Sequence, residues 1–248
     1  MVDEPLFIFP DWPAPAQVRA VSTTRLGGVS LSPYDSLNLG AHVGDNPAAV
    51  AANRQRLRRL LGLPTEPAWL NQVHGNTVVA VERHADPAVE ADAVYTGEPG
   101  RACVVMTADC LPVLLCDRAG AGVAAIHAGW RGLRAGVIEA ALARMACPPN
   151  RLLAWLGPAI GPKRFEVGEE VRQAFLSLDR ENAACFRPSI MGRWLADIYA
   201  LARRQLHTLG VSAVYGGDWC TFTDSQRFFS YRRDERTGRM ASLIWLTG

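Results

Sequence analysis

Lysine is almost absent. Lys163 is the single lysine in 248 residues, and arginine carries the rest of the positive charge. A catalytic lysine therefore has one address, next to Gly161-Pro162, which is a poor setting for Schiff-base chemistry. No Gly-Lys is followed by Ser or Thr, so there is no P-loop. G-x-G-x-x-G and G-x-S-x-G are absent as well, which argues against dinucleotide binding and against a serine-hydrolase elbow. There is no apolar run of roughly eighteen residues, so nothing reads as a membrane span. A net charge of +2 is too small for nucleic-acid binding by bulk electrostatics. Residues 1–5 lack the basic start and apolar stretch of a secretory signal. The expectation is a cytoplasmic protein with reduced thiols, whose six cysteines are not a disulfide framework.

Apolar residues are plentiful, at 49%, enough to bury a sizeable core in one domain spanning residues 1–248. Gln17–Thr24 alternates and reads as a strand. Arg25–Gly40 is a long polar loop, of the kind that is functional or disordered in compact domains. Asn46-Pro47 opens a helix that Gly62 ends. Strands are expected at 77–82, 102–106, 112–117, 122–127 and 152–156, and again from Phe228 onward around a turn at Thr237-Gly238. Helices are expected at 133–145, 167–178 and 194–209. Strands cluster and helices interrupt them irregularly, which favours α+β with mixed sheets over a regular βαβ array.

Three segments carry ligand-type side chains beside small residues: Asn71-Gln72-Val73-His74-Gly75, Thr107-Ala108-Asp109-Cys110 and Ile126-His127-Ala128-Gly129. If the strands around Cys110 and His127 are neighbours, both side chains meet at one sheet edge. Two histidines and a thiolate would give a zinc ion three protein ligands and leave a position open. The spacing matches no short zinc signature, so two other readings stand. Cys110 and His127 are also the minimum for a thiol nucleophile and its base. Or His74 and His127 are satisfied loop histidines and Cys110 a small buried hydrophobe. Asp109 is a poor candidate for the orienting acid, because neighbours on a strand face opposite ways. Cys103 and Cys116 read as core, Cys147 and Cys185, the latter in a polar stretch, as residues without a role, and Cys220 as a thiol beside a turn with only a minor claim to the site. His84 and His207 read as surface residues; His42 is ambiguous.

Along nearly its whole length the sequence resembles the multicopper polyphenol oxidase, or laccase-domain, family. Members of that family are also called purine nucleoside phosphorylases or peptidoglycan editing factors. The resemblance rests on Arg25-Leu26-Gly27-Gly28-Val29-Ser30, Ser36-Leu37-Asn38, Val73-His74-Gly75, Ala108-Asp109-Cys110, His127-Ala128-Gly129-Trp130-Arg131-Gly132, Gly157-Pro158-Ala159-Ile160-Gly161-Pro162 and Phe229-Ser230-Tyr231-Arg232-Arg233. It implies an α+β fold of layered mixed β-sheets with flanking helices, similar to the cysteine-hydrolase toxin deamidases. It also implies that His74, Cys110 and His127 are zinc ligands and catalytic residues.

The older family name fails on composition, since five histidines and no His-x-His pair cannot build a multicopper centre. Adventitious copper binding in vitro is expected all the same, because copper outranks zinc in raw affinity. The resemblance implies phosphorolysis of adenosine, inosine, guanosine or methylthioadenosine, with adenosine deamination as a side activity. Nucleoside and phosphate are the implied small-molecule partners. Arg25, Arg131 and Arg232 are then candidate phosphate-binding cations, and Asn38 and Gln72 candidate readers of base or ribose. Tyr34, Trp130 and Phe229 are candidates for stacking. The alternative implied by the family is a hydrolase that edits peptidoglycan precursors, using zinc or a Cys110–His127 pair.

Overall fold

The structure, a computed structural model, describes residues 5–81 and 89–248. The strands are β1 Phe7–Ile8, β2 Val18–Thr23, β3 Val78–Ala80, β4 Ala93–Thr96, β5 Ala102–Thr107, β6 Leu111–Asp117, β7 Val123–Ala128, β8 Leu152–Leu156, β9 Glu166–Val167, β10 Phe186–Pro188, β11 Trp194–Ala196, β12 Ala213–Gly216 and β13 Met240–Leu246. The α-helices are α1 Pro47–Leu60, α2 Trp130–Arg134, α3 Val137–Met145, α4 Glu169–Leu176, α5 Ile198–Thr208 and α6 Tyr231–Asp234.

Among the described residues the strands build three sheets, ordered β1-β2-β13-β5, β12-β8-β6-β7-β4-β3 and β10-β11-β9. The first is antiparallel throughout. The second is antiparallel in the middle and parallel at both edges.

Period-two alternation stacks the two larger sheets into layers. In β5, Cys103 and Val105 face the six-stranded sheet and meet Leu114 and Cys116 of β6. Ala102 and Val104 face the other way, toward Leu57 of α1 and Leu37 and Leu39 of the long loop. Leu111, Val113 and Leu115 of β6 face Ile138 of α3, Phe175 of α4 and Leu206 of α5. The order is helix and loop, sheet, sheet, helices. Both sheets are therefore covered on both faces, which is why β5, β6 and β7 read as unbroken apolar runs. Each of these leucines contributes about 1.5–3 kcal/mol on burial.

The 25–40 loop is ordered by two buried amides. Asn53 on α1 accepts from Val29 N–H at 2.9 Å and donates to Ser30 Oγ, Ser36 O and Asn38 O. Asn38 donates to Asp45 and accepts from the N–H groups of Gly40 and Arg239.

Several expected elements are revised. The helix at 133–145 is two helices, broken where Gly136 adopts φ +82°. The helix at 167–178 begins at Glu169, because Glu166–Val167 pairs with β11. The helix at 194–209 begins at Ile198, because Trp194–Ala196 pairs with β10 on one side and β9 on the other. Asp197 then caps α5, accepting from Ala200 N–H at 2.9 Å. The strand expected from Phe228 is absent: Ser230 caps the short helix α6, and the strand starts at Met240. Asn46 and Pro47 open α1 as expected, with Asn46 accepting from Ala48 N–H. Cys185 is buried in the core, although the segment before it is polar. His84 and the end of the strand expected at 77–82 lie outside the described residues. Among the described residues no helix is long and apolar enough to cross a membrane.

Asn53→Ala should destabilise the fold by about 2–3 kcal/mol, because it removes four hydrogen bonds at once and leaves Asn38 O, inside the loop framework, without its donor. Urea unfolding measures this, and a change below about 0.5 kcal/mol, the usual range for surface substitutions, would show that the loop is held by other contacts.

Candidate metal centre

Sheet register brings the ligands together. β6 and β7 are antiparallel neighbours with Leu111 opposite Ala128 and Pro112 opposite His127. Cys110, immediately before β6, therefore sits beside the end of β7. His74 comes from the loop before β3 and is held at φ +62°, a left-handed conformation that costs a non-glycine residue about 1–2 kcal/mol. The ligand atoms of His74, Cys110 and His127 all lie within 4.8 Å of one another. Cys110 Sγ is 3.8 Å from His74 Nε2, and the two imidazoles meet edge to face at 4.7 Å between centroids. A Cβ on Gly129 would come within 3.0 Å of Cys110 Sγ and 3.1 Å of His74, so the backbone must pass here without a side chain.

Asp92 organises this corner. It precedes β4, which pairs with β7, so its backbone carbonyl accepts from His127 N–H at 2.7 Å. Its carboxylate, fully buried, lies 2.7 Å from His127 Nδ1. The same carboxylate accepts from the N–H groups of Val73, His74 and Gly75. Burial opposes the charge on Asp92, but the His127 hydrogen bond and these N–H donors outweigh it and lower its pKa. With Nδ1 donating to Asp92, Nε2 of His127 is left to face Cys110 or a metal.

Electrostatics couple the thiol to the imidazole. Burial pushes the Cys110 thiol up, but the charge of His127 and hydrogen bonds from both histidines bring it down to about 6. Burial pulls His127 down, whereas the Cys110 thiolate and Asp92 carry it up to about 9. Without metal each group thus favours the charged form of the other. Burial holds Cys116 and Cys185, by contrast, at about 12 and about 11.

The donor set fits a metal. Imidazole and thiolate suit borderline and soft transition ions, and three protein donors leave one coordination position for a ligand. The three ligand residues line a cavity of about 540 Å³.

The sequence-based candidates divide. Gln72, Arg131 and Arg232 line the cavity. Gln72 is nonetheless committed at both ends of its amide to the backbone of Met106. Arg131 lies 4.6 Å over the Trp130 ring, and Arg232 donates to Glu166 O at 2.6 Å. Arg25 and Asn38 do not line the cavity. Arg25 bonds Asp35 and Ser225 O and stacks on Phe229, while Asn38 is fully buried in the loop framework. Of the stacking candidates, Trp130 lines the cavity, whereas Tyr34 and Phe229 are buried. Cys220 does not line it; its sulfur accepts from Gly161 N–H.

Asp109 serves the framework, accepting from Thr221 Oγ1, Ser230 Oγ and Arg232 N–H. Sequence reasoning missed Asp92, His42 as a wall residue, Phe165, Tyr231 and Arg239. Recognising the short strand after Asp92 would have exposed the first; the others carry no local signal.

A profile of the multi-copper polyphenol oxidoreductase laccase family matches residues 19–247. The chain belongs to this family. It is 57% identical over 239 residues to purine nucleoside phosphorylase YfiH of Escherichia coli (strain K12), covering 96% of this chain and 98% of that one. It is 58% identical over 243 residues to a purine nucleoside phosphorylase of Pseudomonas aeruginosa, covering 97% and 98%. Among solved structures, a Neisseria meningitidis protein superposes with a TM-score of 0.95 at 53% identity, over 98% of this chain and 100% of that one. YlmD from Geobacillus stearothermophilus superposes at 0.89 and 31%, over 100% and 98%. The laccase family's name implies several coppers, yet the described residues of this member bring together one group of three ligands.

Loaded with a divalent transition metal, the protein should hold about one ion per chain. His74→Ala, Cys110→Ala and His127→Ala should each lose most of it, and Asp92→Asn should weaken binding about 10–100-fold. Metal analysis and chelator competition measure both; full occupancy in all three alanine variants would remove the site. In metal-free protein, alkylation of Cys110 should rise with pH through about 6 and level off above it, while Cys116 and Cys185 stay inert. Metal should slow the reaction. Peptide mass spectrometry reads this directly, and a Cys110 no faster than the two buried thiols would contradict this coupling.

Proposed function

We propose that the chain is a cytoplasmic, zinc-dependent purine nucleoside phosphorylase. Its substrates on this reading are adenosine, inosine, guanosine and methylthioadenosine, with adenosine deamination as a side activity. The observation that carries the reading is a His-Cys-His ligand set on the wall of a cavity that also holds aromatic faces and guanidinium groups. The volume falls in the usual range for small-molecule sites, about 300–1,000 Å³. The names of the E. coli and P. aeruginosa relatives support the same activity.

In phosphorolysis an oxygen of phosphate bonds to C1′ as the C1′–N9 bond breaks. The electron pair of that bond stays on the purine, which takes up a proton, and ribose 1-phosphate is the other product. Trp130 and the half-exposed Tyr231 offer flat faces for the purine. Arg131 and Arg232 offer cations to an anionic co-substrate. Asp92 holds the imidazole of His127 in one tautomer and orientation, and so keeps its Nε2 from turning away. Bound zinc supplies Lewis acidity beside the reacting group.

A second reading is favoured by the line Cys110–His127–Asp92, with its low thiol pKa and buried orienting acid. There Cys110 is a nucleophile on an amide, as in the editing of peptidoglycan precursors, and the likeness to toxin deamidases belongs with it.

Inosine and phosphate should yield hypoxanthine and ribose 1-phosphate, separable by chromatography. Activity should vanish on chelation, return with zinc, and fall at least about 100-fold in His74→Ala and His127→Ala. Phenol oxidation should be negligible beside it, even with copper added. Muropeptide hydrolysis that resists chelator and dies on alkylation of Cys110 alone would decide for the thiol instead.

A further inference from the structure

Arg239 stands in the cavity wall with no carboxylate in ion-pair contact among the described residues; the charges of Cys110 and Asp109 act on it from further off, and its guanidinium lies 5.9 Å from the centre of the Tyr231 ring. It immediately precedes β13, and its backbone N–H donates to Asn38 Oδ1 at 2.9 Å. Its side chain is half-buried, and Nη1 donates to the carbonyls of Thr237 and Gly238 at 3.0 Å each. Both acceptors are neutral. Among the described residues no carboxylate pairs with this guanidinium, and Nε and Nη2 donate to no protein acceptor. Arg131 and Arg232 line the same cavity but are exposed, so water screens them.

Arg239 also faces a second hollow. This space, about 370 Å³, shares His42, Tyr231 and Arg239 with the metal-bearing cavity and adds Arg236 and Thr237. Thr237 is 1% exposed, and its hydroxyl has no hydrogen-bond partner among the described residues. Glu235, which is exposed, is the acid on this wall; two guanidinium groups outweigh it. Burial, then the charges of Arg239 and Arg54, lower the pKa of His42 and so disfavour its charged form; it contributes an imidazole to this wall.

We propose that Arg239, with His42 beside it, forms an anion subsite that holds the phosphate co-substrate in the cavity that bears the metal ligands. The inference rests on the phosphorylase reading. A half-desolvated guanidinium with two donors free matches two oxygens of a phosphoryl group in the planar fork geometry that arginine provides and lysine does not. Incomplete hydration makes each of those hydrogen bonds stronger than it would be on a fully exposed arginine. The same chemistry would accept the ester phosphate of a nucleoside 5′-monophosphate.

The test is calorimetry on the zinc-loaded protein. Inorganic phosphate and a nucleoside 5′-monophosphate are titrated separately into wild type, Arg239→Gln, Arg239→Lys and His42→Gln. Phosphate should bind wild type, with its Kd raised about tenfold or more in Arg239→Gln and less in His42→Gln. Inosine affinity should stay within about twofold, inside the non-additivity of such changes. Arg239→Gln also loses the bonds to Thr237 and Gly238, so thermal unfolding and zinc content are checked first. If that variant does not fold, Arg239→Lys and His42→Gln carry the test, each expected to weaken phosphate while keeping inosine. Equal phosphate binding by wild type and the folded variants overturns the proposal, as does failure of wild type to bind either anion. Dependence on Arg239 for the monophosphate alone keeps the subsite and overturns the co-substrate assignment. Nucleoside cleavage that ignores phosphate concentration would instead sink the phosphorylase reading, and the binding data would stand apart from it.

Discussion

A buried carboxylate needs partners, and the corner that matters in this protein is the one that satisfies Asp92. A charged group with no exposure is tolerated only when hydrogen bonds replace the water it has lost. Asp92 finds them in three successive backbone N–H groups of the His74 loop and in the imidazole of His127. Those partners come from two segments that are distant in sequence. One acceptor thus fixes the left-handed turn at His74 and the orientation of His127 together. The geometry of the ligand set follows from the solution to a burial problem.

The strand on the other side of the site uses the same device. Asp109 is buried next to Cys110 and gathers Thr221, Ser230 and the N–H of Arg232. Each ligand-bearing segment therefore has a carboxylate that anchors it to a different part of the chain. Between them the backbone can approach closely because Gly129 has no side chain. Rigid support of this kind is what a site needs if its donors are to hold their distances without a metal to draw them together.

The central strands were legible because their signal is local, whereas the three ligand-type residues were singled out as a metal set by the family resemblance and not by their spacing. Apolar runs mark doubly covered strands, and His74, Cys110 and His127 each stand beside small residues. Asp92 was not legible, since its role depends on the pairing of a four-residue strand with β7. Arg239 and Tyr231 were hidden because the segment from Phe228 read as extended, whereas Ser230 turns it into a helix. Arg25 and Asn38 show the converse. Polar residues in an ordered loop look alike in sequence whether they hold a ligand or hold the loop. The difference lies in where their hydrogen bonds go, and the bonds of these two go to Asp35, Ser225, Gly40, Asp45 and Arg239.

The position of β13 has a consequence for how the chain is made. β13 follows β2 and β5 in chain order, yet lies between them in the sheet. Until residues 240–246 leave the ribosome, β2 and β5 have no common neighbour, and their apolar edges stay unpaired. The loop framework waits as well, because Arg239 N–H is one of the donors to Asn38. The four-stranded layer is thus closed last, by contacts that span more than two hundred residues, as in the pairing of Ser242 with Ser22. Such long-range closure is slow and leaves strand edges open to other chains while it is pending. During synthesis the unpaired edges of β2 and β5 are thus where a strand of another chain would find backbone groups to pair with.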